Sequence, residues 1–336
     1  MSEHAIELYR ANDVIDLHVD SFIWHRLFGY DLTHRHRPLL AGALFGQVDF
    51  PRIRAAEISG ATWVITTNPL RDRADRAATF ERNLNLLVAQ FARVEHDFAL
   101  VTDRREYDAA RALGKHAAFL GVQGGNALEL ELDQACELYD RRILRVTLVH
   151  LSSSRIGTTS SPLKLESTGL SSYGRELIQL LNHRKILVDL AHIDERGFWQ
   201  AVDAHAHELP LIVSHTGVNG VHRHWRNLSD DQLRAVARSG GVVGIMYHAP
   251  YLGDHIWAGR AESIVRHLEH VANVAGEATP ALGSDWDGAI VTPRDMPTCL
   301  ELPRLVQLML ERRWPEARIR ATLGQNFLRV LAHARG

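Results

Sequence analysis

Val14-Ile15-Asp16-Leu17-His18-Val19-Asp20 is a short, mostly apolar run that ends on an imidazole and a carboxylate. Similar runs recur at Ala61–Thr67, Ala117–Gln123, Leu144–His150, Ile186–Ala191, Leu209–His215, Gly241–Tyr247 and Thr279–Asp285. Near-continuous apolar segments of this length, rich in β-branched residues, are what strands buried on both faces look like. The stretches between them carry helical periodicity, among them Phe80–Val94, Leu130–Arg141, Gly174–His183, Asp230–Arg238 and Ala261–Ala275. Ser229-Asp230-Asp231 ahead of Gln232-Leu233 is a helix start. About eight strand–helix alternations predict an α/β fold of the closed (β/α)8 TIM-barrel type rather than an open sheet. No low-complexity linker divides the chain, so a single domain over residues 1–336 is expected. Asp97–Asp103 reads equally well as a ninth short strand or as a loop. Residues 21–50 form a long connection suited to a lid or a substrate wall.

Composition excludes several classes of function. A hydrophobic content of 46% with 23% charged residues is that of a globular protein, not a disordered one. A net charge of -2, with Lys and Arg dispersed along the chain, gives no electrostatic case for nucleic acid or an anionic membrane. No stretch approaches the roughly 18 apolar residues of a membrane span. Cys136 and Cys299 are too few for a disulfide framework. The polar start Met1-Ser2-Glu3-His4 lacks a secretory signal pattern. A cytoplasmic protein is the expectation.

In a barrel of this kind the working residues sit at the C-terminal ends of the strands. His18 and Asp20 are two apart, so strand alternation puts both on one side. Gln123 ends the third run, His150 the fourth and His215 the sixth, while His192 lies just past the fifth and Asp285 closes the eighth. Any one of these alone reads more naturally as a hydrogen-bonded structural histidine or a turn-capping aspartate. Recurrence at the same end of strand after strand tips the balance toward a metal centre. Imidazole with carboxylate suits Zn2+ or a similar divalent ion, and two cysteines cannot build a thiolate zinc site.

Further motifs accompany these residues in order: Asp49-Phe50-Pro51-Arg52, Gly121-Val122-Gln123-Gly124-Gly125, Leu148-Val149-His150, Asp189-Leu190-Ala191-His192, Ser214-His215, Arg226-Asn227-Leu228-Ser229, Gly283-Ser284-Asp285-Trp286-Asp287-Gly288 and Gly324-Gln325-Asn326-Phe327. With them the chain resembles, over nearly its whole length, the membrane (renal) dipeptidases of peptidase family M19, metallopeptidases of the amidohydrolase type. The resemblance implies that His18, Asp20 and Asp285 hold one zinc and that His192 and His215 hold a second. It implies that Asp285 is also the catalytic acid/base, and that His150 and Arg226 hold the substrate, a dipeptide or related small amide. A guanidinium suits the carboxylate role because it binds in a bidentate fork. Homodimers are common in the family.

Gln123 departs from the pattern, for the family carries a glutamate there that bridges two zincs. A carboxamide offers one good acceptor oxygen and no charge. The expectation is therefore one tightly held ion, at His18, Asp20 and Asp285, and a weakened second site. The opposite occupancy, a single ion between the histidines, stays open. So do two alternatives to a dipeptidase: a mononuclear enzyme acting on another small metabolite, and a non-catalytic small-molecule-binding relative. No Lys lies in Arg141–His150 to substitute as a carbamylated bridge.

Overall fold

The structure is a computed structural model and describes residues 1–37, 44–66, 72–129, 142–162 and 164–336. Its strands are β1 (Ile15–Val19), β2 (Gly60–Thr66), β3 (Phe98–Leu100), β4 (His116–Gln123), β5 (Ile143–Thr147), β6 (Leu187–Asp189), β7 (Ile212–Thr216), β8 (Val242–Ile245) and β9 (Pro280–Leu282). All pair in parallel, in the order β2-β1-β9-β8-β7-β6-β5-β4-β3, and β2 also pairs with β4. That extra pairing closes an eight-stranded ring and leaves β3 outside it, against the edge of β4. The ambiguous Asp97–Asp103 segment thus holds a strand of its own, although not one of the barrel staves.

Parallel staves buried on both faces explain the apolar runs, since no face is left for solvent. Several staves are shorter than those runs. β5 stops at Thr147, three residues before His150, and β9 stops at Leu282, before Asp285. Between strands come helices at Arg73–Ala92, Ser172–His183, Asp230–Arg238 and Ala261–Ala275. The helix expected at Leu130–Arg141 lies outside the described residues. Ser229 caps its helix in a reciprocal box: its side chain accepts from the Gln232 backbone, and the Gln232 side chain accepts from its own.

One end of the barrel is plugged by apolar side chains. Ile15, Leu144, Leu187, Ile212, Val242 and Ala281, all at or near strand starts, cluster with Phe327, Leu328 and Leu331 of the C-terminal helix Asn326–Arg335. The polar residues gather at the opposite end. There Asp287 ties down the described part of the long connection after β1: it accepts from Ser21 Oγ and from the backbone N–H groups of Gln47 (2.9 Å) and Val48 (3.3 Å).

Candidate metal centre

Three of the ladders that lead to this end slip in register just where the polar residues emerge. β1 against β2 shifts between Asp16 and Val19, β7 against β8 between Val213 and Thr216, and β4 against β5 between Leu120 and Gly121. Such irregularities bend a strand and re-aim its side chains. His192 and Asp285, beyond their strands, hold left-handed backbone at φ 67° and 64°. Each costs on the order of 1 kcal/mol or more in a non-glycine residue and persists only where the surroundings enforce it. Here they do. Asp285 N–H donates to His18 O at 3.1 Å, and Ser160 N–H donates to His192 O at 2.6 Å.

The result brings His18, Asp20, Gln123, His150, His192, His215, Arg226 and Asp285 together. One ligand atom each of His18, His215 and Asp285 lies within 4.8 Å of the others. His18 Nε2 is 3.2 Å from Asp20 Oδ2 and 3.6 Å from Asp285 Oδ1. His192 Nε2 and His215 Nε2 are 2.8 Å apart. His215 therefore borders both of the groups that the family resemblance separates. Only one orientation of the Gln123 carboxamide satisfies both of its ends. Its NH2 then donates to Thr66 Oγ1 and to both oxygens of Asp20, each at 3.0 Å, and its oxygen accepts from His150 Nε2 at 3.2 Å.

Burial sets the electrostatics. Desolvation pushes the His192 and His215 rings well below the usual imidazole range, with the nearby Arg226 and neighbouring histidines adding to the effect. It lowers His18 as well, against the pull of Asp20, and brings His150 down to about 4. Neutral imidazoles are the form that ligates metal. Desolvation, then the charge of Asp20, drives the Asp285 carboxyl well above its normal range, while Arg226 opposes the rise. His192 Nδ1 is buried without a hydrogen-bond partner. The nitrogen and oxygen donors present fit a divalent ion of the zinc type.

Arg226 is buried, and burial lowers its guanidinium to about 10. One NH2 donates to the carbonyl of His215 at 2.7 Å, whereas Nε has no partner. A cleft of about 340 Å3 opens over this corner, lined by Ser160, His192, Trp225, Arg226 and Asn227 among others.

Residues 2–335 match the family described as membrane dipeptidase, peptidase family M19. The chain belongs to that family. Solved structures agree in fold. A dipeptidase described as a family M19 metallopeptidase superposes with a TM-score of 0.85 at 24% identity, covering 97% of this chain and 99% of its own. A probable dipeptidase from Pseudomonas aeruginosa gives 0.87 at 16%, covering 99% and 98%. A metallopeptidase from Rhodobacter sphaeroides, liganded with a phosphinate mimic of the dipeptide L-Ala-D-Ala, gives 0.83 at 22%, covering 96% and 99%. At these identities the structures show the shared amidohydrolase-type barrel. Family membership makes this M19 chain a metal-dependent hydrolase of the dipeptidase kind. Among the described residues no helix is long and apolar enough to cross a membrane.

One group that matters to this M19 centre belongs to none of the motifs above. Arg145, on β5, is 1% exposed, and its guanidinium donates to Asp189 Oδ2 (2.8 Å), Thr147 Oγ1 (2.8 Å) and the carbonyl of Leu17 (3.1 Å), and stands 2.7 Å from His18 Nδ1. A signal was available. An arginine inside a run that otherwise reads as a fully buried strand requires an internal partner. Asp189 is that partner. Burial raises its carboxyl, but Arg145 and hydrogen bonds from Ser214 and Thr147 outweigh this and hold it below the carboxylate range.

Proposed function

We propose that the protein cleaves the amide bond of a dipeptide, or of a similarly small carboxylated amide, with one tightly held divalent ion, zinc. The observation that carries this reading is the meeting of His192, His215, His18 and Asp285 beside the Arg226 cleft in a chain of this family. When bound, the ion supplies Lewis acidity and a more acidic water. Arg226 lines the cleft and offers its guanidinium to the substrate carboxylate. His150, neutral, joins Arg226 in holding the substrate, giving its Nε2–H to the scissile carbonyl in place of the Gln123 oxygen that accepts it in the free protein. Asp285 takes a proton from the attacking water on a carboxylate oxygen and returns it to the departing nitrogen. Its raised proton affinity supports that role.

Gln123 supports a single ion rather than two, since it brings no charge to offset repulsion between dications. The same feature favours a second reading, a one-ion enzyme of this fold acting on a different small carboxylated metabolite. Two cysteines in the chain support a reducing, cytoplasmic setting. A panel of L–L and L–D dipeptides, assayed with Zn2+, Co2+ and Mn2+, tests the first reading. Turnover that Asp285→Asn abolishes is expected. An ion held tightly with no dipeptide cleaved would overturn the first reading in favour of the second.

A further inference from the structure

The centre has two halves, and hydrogen placement divides them. A guanidinium has only donors. With Arg145 at 2.7 Å, His18 Nδ1 must be the lone-pair nitrogen, and the ring hydrogen sits on Nε2, pointing at Asp20 and Asp285. A neutral histidine that ligates through Nε2 needs the reverse, Nδ1–H donated to an acceptor. Ligation by His18 Nε2 beside Arg145 would require an imidazolate. His215 has the arrangement that His18 lacks. Ser214 Oγ donates to Asp189 Oδ2 at 2.6 Å, so it accepts from His215 Nδ1 at 2.9 Å and leaves His215 Nε2 as a free lone pair.

Gln123 follows the same division. Its NH2 faces the Asp20 carboxylate, so that Asp20 already accepts from Gln123 and from His18. In that orientation its oxygen occupies the position 3.5 Å from His192 Nε2. The amide thus turns donors toward one half and an acceptor toward the other. Exposure agrees: His18 is 0% and Asp20 2% exposed, against 7% for His192 and 8% for Asp285. The cleft is lined by His192 and Arg226.

We propose that Arg145 removes His18 from the metal-ligand set, so that the ion is held by His192 and His215 with the Gln123 oxygen turned toward it, while His18 and Asp20 form a hydrogen-bonded support. This rests on the one-ion reading above and reverses the position expected for that ion. Arg145 is a positioning residue, acting through the imidazole of His18.

The full-length protein, with nitrogen-15 in its histidine rings and cadmium as the metal, tests this without any substrate. One equivalent of cadmium is expected to show scalar coupling to ring nitrogens of His192 and His215. His18 is expected to keep an Nε2–H and show none. Coupling at His18, or no ion held at all, overturns the proposal. Affinity gives an independent measure. His192→Gln and His215→Gln should each weaken cadmium binding by at least about 100-fold, and His18→Gln by less than about tenfold, as a supporting residue would. Equal losses at His18 and His215 overturn it. In Arg145→Gln, whose amide oxygen accepts an Nδ1–H, His18 should begin to couple; silence there in a folded variant removes Arg145 as the cause. Because no readout is turnover, failure of the dipeptidase reading would leave these results standing.

Discussion

The His18–Asp20 half and the His192–His215 half of the centre use the same residue types to opposite ends. In the first, hydrogens from Arg145, His18 and Gln123 fill the lone pairs that a metal would need. In the second, two Nε2 atoms stand 2.8 Å apart, and the ring of His215 is held by Ser214 with its lone pair free. Ligand identity alone therefore does not make a metal site. Where the hydrogens lie decides it, and that is set by neighbours such as Arg145 and Asp189.

The largest effect is expected from Asp285→Asn, which should lower kcat on order of 10³-fold through loss of proton transfer, with the ion still measurable by metal analysis. Full activity in that variant would place the proton elsewhere. Next, Gln123→Glu puts a carboxylate where the NH2 now meets both Asp20 oxygens at 3.0 Å. Metal-free protein should lose about 3 kcal/mol of stability by urea unfolding, the scale of an uncompensated buried charge. An unchanged midpoint would mean that the first half does not need its donors. Arg226→Met should cost about 100-fold in kcat/KM, mostly as KM, with Arg226→Lys recovering part of it. A change in kcat alone would break the assignment of Arg226 to the substrate carboxylate.

The last effect concerns stability against pH. His116 is lowered to about 3, and His248 and His267 to about 4, chiefly by burial. Each is neutral when folded but protonates in the unfolded chain below about 6.5. Stability is therefore lost as pH falls through 6.5 toward 4. Asp16 and Asp287, raised to about 6 by burial, work the other way: their contribution is present at low pH and lost as pH rises through 6. His150, His192 and His215 of the centre are lowered too, and Asp285 is raised; the lowered histidines outnumber the raised carboxyls, so metal-free protein should lose at least about 2 kcal/mol between pH 7 and pH 5. A urea midpoint higher at pH 5 than at pH 7 would show that the carboxyls dominate.

Much of this was legible in the residues. The alternation of apolar runs and helical stretches implied the barrel, because strands covered on both faces cannot alternate polar and apolar side chains. The polar residues closing those runs marked the mouth, and Gln123 announced a centre short of one charge. Strand ends were less legible. His150 and Asp285 lie past the hydrogen-bonded staves, because a loop that turns toward the mouth can be as apolar as the strand before it.

Which residue types reach the mouth, and in what order, follows from the chain alone, since a parallel barrel delivers every strand end to one face. How those residues divide the work depends on contacts made in the fold. The register slips on β1, β4 and β7, the left-handed backbone of His192 and Asp285, and the contact of Arg145 with His18 all join positions far apart in the chain. Hydrogen placement on a buried ring depends on such contacts, because a donor or acceptor excluded from water must take its partner from whatever the fold places beside it.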